Sequence, residues 1–216
     1  MATPVFLTVD TEFAWRHHAA GLDVETIYAR SLEPAGVGLS HQLDVLAAHG
    51  LKACFFVDPM PALVFGLAPV KRMVDTILAA GQEVQLHLHP NWAGATAGDR
   101  GASFGRFQMH EYALDEQVGL LVGATELLVA AGAPQPIAFR AGGYAANADT
   151  LRALAALGFV YDSSHNGGER AESRTGLPPE QIAPVLHHLI EVPVSVIVSP
   201  ASDLASMRGF NGKVGK

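Results

Sequence analysis

Two histidines stand two positions apart in an apolar run of the sequence, Glu83-Val-Gln-Leu-His-Leu-His-Pro90. In an extended strand, residues i and i+2 project from the same face, so His87 and His89 can direct their imidazoles at one ion. A single histidine on an apolar strand is usually a packed residue. A His-x-His pair at a strand end, followed at once by a proline, is more typical of a metal or catalytic site.

Two carboxylates finish another apolar run, in which Val5-Phe-Leu-Thr-Val9 leads into Asp10-Thr-Glu12. Their spacing also places Asp10 and Glu12 on one side of a strand end. One carboxylate and two imidazoles suit Zn²⁺ or a similar divalent ion, with positions left open for water and a substrate oxygen. The spare carboxylate, either Asp10 or Glu12, is then placed to take a proton from the bound water, which is the chemistry of metal-assisted hydrolysis.

An arginine and a further aspartate complete the candidate set. Arg140 closes the strand-like run Pro136-Ile-Ala-Phe-Arg140, where a guanidinium beside a carboxylate would orient it and keep it ionised. A surface ion pair is the alternative interpretation for this arginine. Asp162 follows the short apolar run Phe159-Val-Tyr161.

Helix-like and strand-like segments alternate along the chain and must position these residues. Four helices are predicted to end at glycines that precede apolar runs, which is typical of helix-to-strand returns in an α/β fold. The predicted helices are Gly38–His49, Pro69–Ala80, Leu114–Ala131, Asn147–Leu157 and, without such a glycine, Pro178–Leu189. We expect a parallel sheet, with the last strand at Ile190–Val198. The carboxyl ends of parallel strands share one edge, where a ligand site is expected.

Composition limits the classes of function. With 216 residues, of which 49% are hydrophobic and 16% charged, we expect one domain over residues 1–198 and an irregular tail over 199–216. A net charge of −7 argues against nucleic acid as the main partner. No apolar run is long enough for a membrane span, and the first residues lack the basic start of a secretory signal. The single cysteine, Cys54, is interpreted as core packing and favours a reducing, cytoplasmic location.

Five segments, in order and over nearly the whole chain, resemble the motifs of the polysaccharide deacetylase (NodB-homology, carbohydrate esterase) family. They are Thr8-Val-Asp-Thr-Glu12, Ala53-Cys-Phe-Phe-Val57, Gly81-Gln-Glu-Val-Gln-Leu-His-Leu-His89, Phe139-Arg-Ala-Gly-Gly-Tyr144 and Tyr161-Asp-Ser-Ser164. The resemblance implies a distorted, TIM-like (β/α) barrel and removal of acetyl groups from N-acetylated or O-acetylated sugars with a divalent metal, commonly zinc. It also implies that Asp10 is the catalytic base, that Arg140 orients this base, and that His87 is the first metal histidine.

The chain departs from the common family pattern at two positions. Thr11 stands where the family usually has a second aspartate, so the sequence resembles an Asp-x-Glu subgroup, and we assign Glu12 to the metal on that basis. The family's second histidine usually lies four residues after the first, where this chain has Asn91. We therefore expect His89 to replace it.

A third departure concerns the proton donor. In the family, a late strand brings a histidine that is partnered by the aspartate matching Asp162, but no histidine follows His188 in this sequence. We expect a barrel that is incomplete at its C-terminus, an unpaired strand edge near Ile190–Val198, an Asp162 without its usual partner, and weakened turnover. His165 is the nearby substitute.

The sequence thus predicts a metal-dependent carbohydrate deacetylase. Trp92 and Tyr144 are candidates to line a sugar-binding cleft, although packing is an equal alternative for each. An acetylated sugar or glycan precursor inside the cell is the expected substrate. Two other functions remain open: a catalytically impaired carbohydrate-binding protein, and a metal hydrolase of the amidohydrolase type, in which a His-x-His pair follows the first strand.

Overall fold

The computed structural model describes residues 5–96, 106–166, 174–177, 183–186 and 188–194. Within these ranges strands and helices alternate. The strands are β1 Thr8–Thr11, β2 Cys54–Val57, β3 Glu83–Leu88, β4 Ala138–Ala141, β5 Tyr161–Asp162, β6 Ala183–Leu186 and β7 Leu189–Glu191. The α-helices are α1 Trp15–Ala19, α2 Val24–Leu32, α3 Leu39–Ala48, α4 Ala62–Phe65, α5 Leu67–Ala79, α6 Leu114–Ala130 and α7 Ala148–Ala156. Short 3₁₀ helices lie at Pro34–Gly36, Pro90–Trp92, Met109–Glu111 and Gly142–Tyr144.

The strands form one sheet with the order β1-β2-β3-β4-β5-β7-β6. Every neighbouring pair from β1 to β7 is parallel, and only the last described pair, β6 with β7, is antiparallel. Helices connect each strand from β1 to β4 to the next strand of the sheet, so the carboxyl ends of β1 to β5 share one edge. The predicted α/β fold with a parallel sheet is confirmed.

Glycines end the helices where the sequence predicts returns to the sheet. After α5, Gly81 has a φ of 67°, a left-handed conformation that glycine adopts without a Cβ clash. Its N–H donates to Leu78 O and the following Gln82 N–H donates to Ile77 O, which satisfies the last carbonyls of the helix. The other predicted returns also have positive φ, at Gly50, Gly132 and Gly158.

A buried glutamine fixes the position of β4 beside β3. The side-chain oxygen of Gln85 accepts hydrogen bonds from the backbone N–H groups of Ile137, at 2.9 Å, and Ala138, at 2.8 Å. Around it the two faces of the sheet are packed with fully buried apolar side chains, such as Phe55, Leu86 and Phe139. A polar side chain in this core is stable because its oxygen has these donors.

The predicted helix over Pro178–Leu189 is wrong in its described part, which forms strands β6 and β7. Pro184 explains the difference, because a proline inside a helix removes a hydrogen bond and clashes with the preceding turn, whereas an edge strand tolerates it. The expected unpaired edge at Ile190 is also wrong: β7 pairs with β5 on one side and with β6 on the other. Residues 195–198 and the predicted tail over 199–216 lie outside the described residues.

None of the helices that the structure describes combines the length and the apolar character that crossing a membrane requires.

Candidate functional site

The candidate residues converge at the carboxyl edge of the sheet. Asp10 and Glu12 lie at the end of β1, and His87 and His89 lie at the end of β3. In the register of β3 with β4, His87 is the direct neighbour of Arg140. Strand order and crossover direction therefore bring together side chains that are far apart in the sequence.

Glu12, His87 and His89 form one compact cluster. Glu12 Oε2 lies 3.0 Å from His87 Nε2 and 2.6 Å from His89 Nε2. One ligand atom from each residue lies within 4.8 Å of the others. Of the described residues, this is the one group of three or more histidine, cysteine or acidic side chains that is arranged closely enough to hold an ion.

The tautomer of His87 is set by its second ring nitrogen. His87 Nδ1 lies 2.8 Å from the backbone carbonyl oxygen of Arg140, which can only accept a hydrogen bond, so Nδ1 carries a proton. In a neutral imidazole, Nε2 then presents a lone pair toward Glu12 Oε2, which is also an acceptor. Two acceptors 3.0 Å apart require a positive charge between them, either a proton or a metal ion.

The electrostatics of Glu12 favour the ionised form. Burial alone would raise the pKa of Glu12, but hydrogen bonds with His87 and His89 outweigh burial and hold the pKa well below its usual range. A carboxylate that stays charged beside two imidazoles is a suitable donor for a divalent cation.

A glycine allows His89 to reach the cluster. A Cβ atom added at Gly142 would overlap the imidazole ring of His89, so the ring occupies space that any other residue at position 142 would fill. Asn91, at the position of the family's usual second histidine, is buried, and its Oδ1 accepts no hydrogen bond within the described part of the chain.

Arg140 and Asp10 form an ion pair beside this cluster. Arg140 Nη1 donates to Asp10 Oδ1 at 2.6 Å, and the arginine side chain is 4% exposed. Three more of its N–H groups have acceptors: Nη2 donates to Thr8 Oγ1 and Ser163 Oγ, and Nε donates to Ser163 O. The guanidinium also lies 4.3 Å from the ring centroid of Phe56. Arg140 is therefore a buried residue with four side-chain hydrogen bonds and not a surface ion pair.

The two aromatic candidates differ in position. Tyr144 is partly exposed, has a φ of 59°, and its ring centroid lies 5.9 Å from the Arg140 guanidinium, at the rim of the site. Trp92 is 1% exposed and packs against Trp15, His18 and Phe65. The expectation that Trp92 lines a sugar cleft is thus corrected in favour of packing.

Two buried acids belong to this edge but were not among the predicted site residues. Asp58 follows β2, is fully buried, and accepts a hydrogen bond from Met60 N at 2.9 Å. Burial raises its pKa to about 7, partly offset by the neighbouring His89. Glu191 on β7 lies beside Asp162 in the register of β5 with β7. The sequence did contain a signal for Asp58, because it is an acidic residue that directly follows the second strand. The ends of the neighbouring strands carry the other site residues.

The single cysteine, Cys54, is a poor nucleophile in this structure. Burial raises the pKa of the Cys54 thiol to about 12. The thiolate that a nucleophile requires is therefore scarce at neutral pH, in line with the interpretation of Cys54 as a packing residue.

A cleft of about 290 Å³ borders the carboxylates of β1. Asp10 and Glu12 line one side, and Arg16, Ser31 and Gln42 are among the residues that line the rest. A cleft of this volume has room for a small chemical group beside the two residues.

No family model matches the sequence, and no curated protein matches it. Among solved structures, the chain is similar to a candidate polysaccharide deacetylase from Mycobacterium smegmatis, with 20% identity and a TM-score of 0.56 over 95% of this chain and 72% of that one. A family 4 carbohydrate esterase from Streptomyces lividans, solved in complex with acetate, gives 19% identity and a TM-score of 0.43 over 74% of this chain and 60% of that one. A family 4 pseudoenzyme from Bacillus anthracis gives 17% identity and a TM-score of 0.45 over 72% of this chain and 44% of that one. The first of these similarities shows that the chain has the fold of the polysaccharide deacetylases, with the candidate site at the edge where the strands of a distorted (β/α) barrel end.

Proposed function

We propose that this protein is a metal-dependent hydrolase that removes acetyl groups from an N-acetylated or O-acetylated sugar or glycan precursor. One observation carries the proposal: Glu12 Oε2 lies within 3.0 Å of the Nε2 atoms of both His87 and His89, while His87 Nδ1 faces a carbonyl oxygen. This arrangement of acceptors around one point is what a divalent cation needs.

The residues fit a zinc-type ion. Glu12, His87 and His89 would hold it, because one carboxylate oxygen and two imidazole nitrogens are ligands that Zn²⁺ prefers, and three protein ligands leave positions open. When bound, the ion would supply a Lewis acid for the acetyl carbonyl and lower the pKa of a nearby water molecule.

Asp10 is the proposed general base. Arg140 binds its Oδ1, which fixes the carboxylate and leaves the other oxygen to take a proton from water. The Asp10 side chain is 31% exposed, so water reaches it. The Arg140 side chain is only 4% exposed and is held in place by its buried surroundings. Arg140 is therefore a positioning residue whose own backbone oxygen also orients His87.

The cleft beside Asp10 and Glu12 is the proposed acetyl site. Tyr144, partly exposed at the rim, is the candidate to contact the sugar ring, since aromatic faces pack on pyranoses. The cytoplasmic location and the precursor substrate remain predictions.

The test combines metal analysis with acetate release. Purified protein should carry about one divalent ion per chain and release acetate from at least one member of a panel of N-acetylated and O-acetylated sugars. Asp10→Asn should keep the metal and lose turnover. Bound metal with no acetate release from the whole panel would favour a carbohydrate-binding protein, and a protein with neither property would overturn the proposal.

A further inference from the structure

Two carboxyl groups face each other inside the protein, away from the Glu12 cluster. Asp162 on β5 and Glu191 on β7 are register partners on neighbouring parallel strands, and their exposed fractions are 0% and 1%. Register partners on adjacent strands project from the same face of the sheet. The two acids are therefore side by side in the core.

Each carboxyl group has one bonded oxygen and one oxygen without a donor. Asp162 Oδ1 accepts from Ser164 Oγ at 2.6 Å, and Glu191 Oε1 accepts from His165 N at 3.1 Å. Asp162 Oδ2 and Glu191 Oε2 are buried and accept no hydrogen bond within the described residues. A proton between these two oxygens would satisfy both, because a carboxylic acid can donate to a carboxylate.

Within the described residues, no charged side chain donates a hydrogen bond to either carboxyl group. From β4, the Arg140 guanidinium acts on Glu191, but its N–H groups donate to Asp10, Thr8 and Ser163. His165 contributes its backbone N–H. The Asp149 and Arg152 side chains of α7 pair with each other at the surface. Burial raises the pKa of both acids. For Glu191, the neighbouring carboxyl group of Asp162 raises the pKa further.

We propose that Asp162 and Glu191 share one proton, and that Glu191 is thereby a positioning residue for Arg140. This inference rests on the proposed deacetylation, in which Arg140 holds the base Asp10.

Two serines connect the pair to Arg140. Ser164 Oγ donates to Asp162 and accepts from Ala141 N at 2.9 Å, which ties the residue after Arg140 to β5. Ser163 accepts from Arg140 Nε at 3.1 Å and from Nη2 at 2.8 Å. If both acids were ionised, their repulsion would separate β5 from β7 and displace these serines. Arg140 would then lose its orientation toward Asp10.

The first test compares pH profiles of two variants with wild type. In Glu191→Gln the amide donates to Asp162 without a titrating proton, so kcat should hold its own neutral-pH value into alkaline pH, where wild-type kcat falls about tenfold with KM little changed. Asp162→Asn replaces the other acid by an amide, and its kcat should also persist at alkaline pH. Glu191→Leu cannot bond to Asp162 and should lower kcat at every pH.

A double-mutant cycle tests the route through Ser163. Ser163→Ala and Glu191→Leu should be non-additive in kcat, because both act on the orientation of Arg140. Additive effects, or the same alkaline limb in wild type and Glu191→Gln, would overturn the positioning role.

The shared proton also has tests that need no activity. The infrared difference spectrum of wild type minus Glu191→Gln at neutral pH should contain a protonated carboxyl band, from which the contribution of Asp58 cancels. The Nε–H resonance of Arg140 should shift at alkaline pH in wild type alone. If no protein releases acetate but both signals behave in this way, the pair stands and the deacetylase proposal fails. Absence of the infrared band from the difference spectrum overturns the pair itself.

Discussion

The imidazole ring of His89 lies directly against Gly142, in the space that a Cβ atom at position 142 would fill. Gly142→Ala should therefore displace His89 from Glu12 and weaken metal binding about 10- to 100-fold, the range expected when a supporting residue of a metal site is lost. Competition with a fluorescent chelator measures this affinity.

Gly123→Ala in α6 is the matched control, since an added Cβ there meets no atom within 4 Å. It should leave the metal affinity unchanged and stabilise the helix by up to about 1 kcal/mol. Equal metal affinity in Gly142→Ala and wild type would remove His89 from the proposed ligand set.

The division between metal ligands and base is testable by metal content. His87→Ala and Glu12→Ala should each lose the ion, and Asp10→Asn should keep it, because only the first two lie in the three-ligand cluster. If Asp10→Asn lost the ion and Glu12→Ala kept it, Asp10 would be the metal ligand and Glu12 the base. His89→Ala against Asn91→Ala separates the two candidates for the third ligand: we expect metal loss in the former alone.

Arg140→Lys should reduce kcat about 10- to 100-fold with the metal retained. Lysine cannot reproduce the bonds to Asp10, Thr8 and Ser163 at once, but the backbone oxygen that orients His87 is unchanged. Steady-state kinetics measures the fall in kcat, and metal analysis on the same preparation measures whether the ion is retained. Metal loss in Arg140→Lys would show that the side chain, and not only the backbone, shapes the ligand cluster.

Asp58 should make the metal-free protein less stable as pH rises. Its pKa is raised to about 7 by burial, so the folded state binds more protons than the unfolded state between the ordinary aspartate pKa and about 7, and the free energy of unfolding falls across that window. The slope contributed by one group is at most about 1.4 kcal/mol per pH unit. Denaturant unfolding with a chelator present should show this slope reduced in Asp58→Asn. An unchanged slope would mean that Asp58 is ionised in the folded protein.

Much of the fold was predictable because it depends on local signals. The glycine returns, the Asn147 N-cap, whose side chain accepts from Thr150 N, and the apolar strand runs are short-range features of the sequence. Helix α2 was not predicted, although Asp23 caps it by accepting from Thr26 N. Its buried residues, Ile27 and Leu32, are too few to stand out in a polar stretch.

The clustering of Glu12, His87 and His89 follows the alternation of side chains along strands, which explains why a spacing of two residues was informative. The residues that support the cluster and the Arg140 side chain were harder to predict. Gly142 leaves room for the His89 ring because it has no side chain. Glu191 lies beside Asp162 because of the register of β5 with β7. Such relationships depend on which strands become adjacent, and the sequence around either residue contains no signal for it.

The site joins residues that are remote along the chain, since 130 positions separate Asp10 from Arg140 and 75 separate Glu12 from His87. Because loop closure must precede contacts of such long range, we expect them to form late in folding. A bound ion would thus act on a structure that is already assembled: it should slow unfolding far more than it speeds folding. The time at which the chain takes up metal during refolding would then report when the sheet from β1 to β4 is complete.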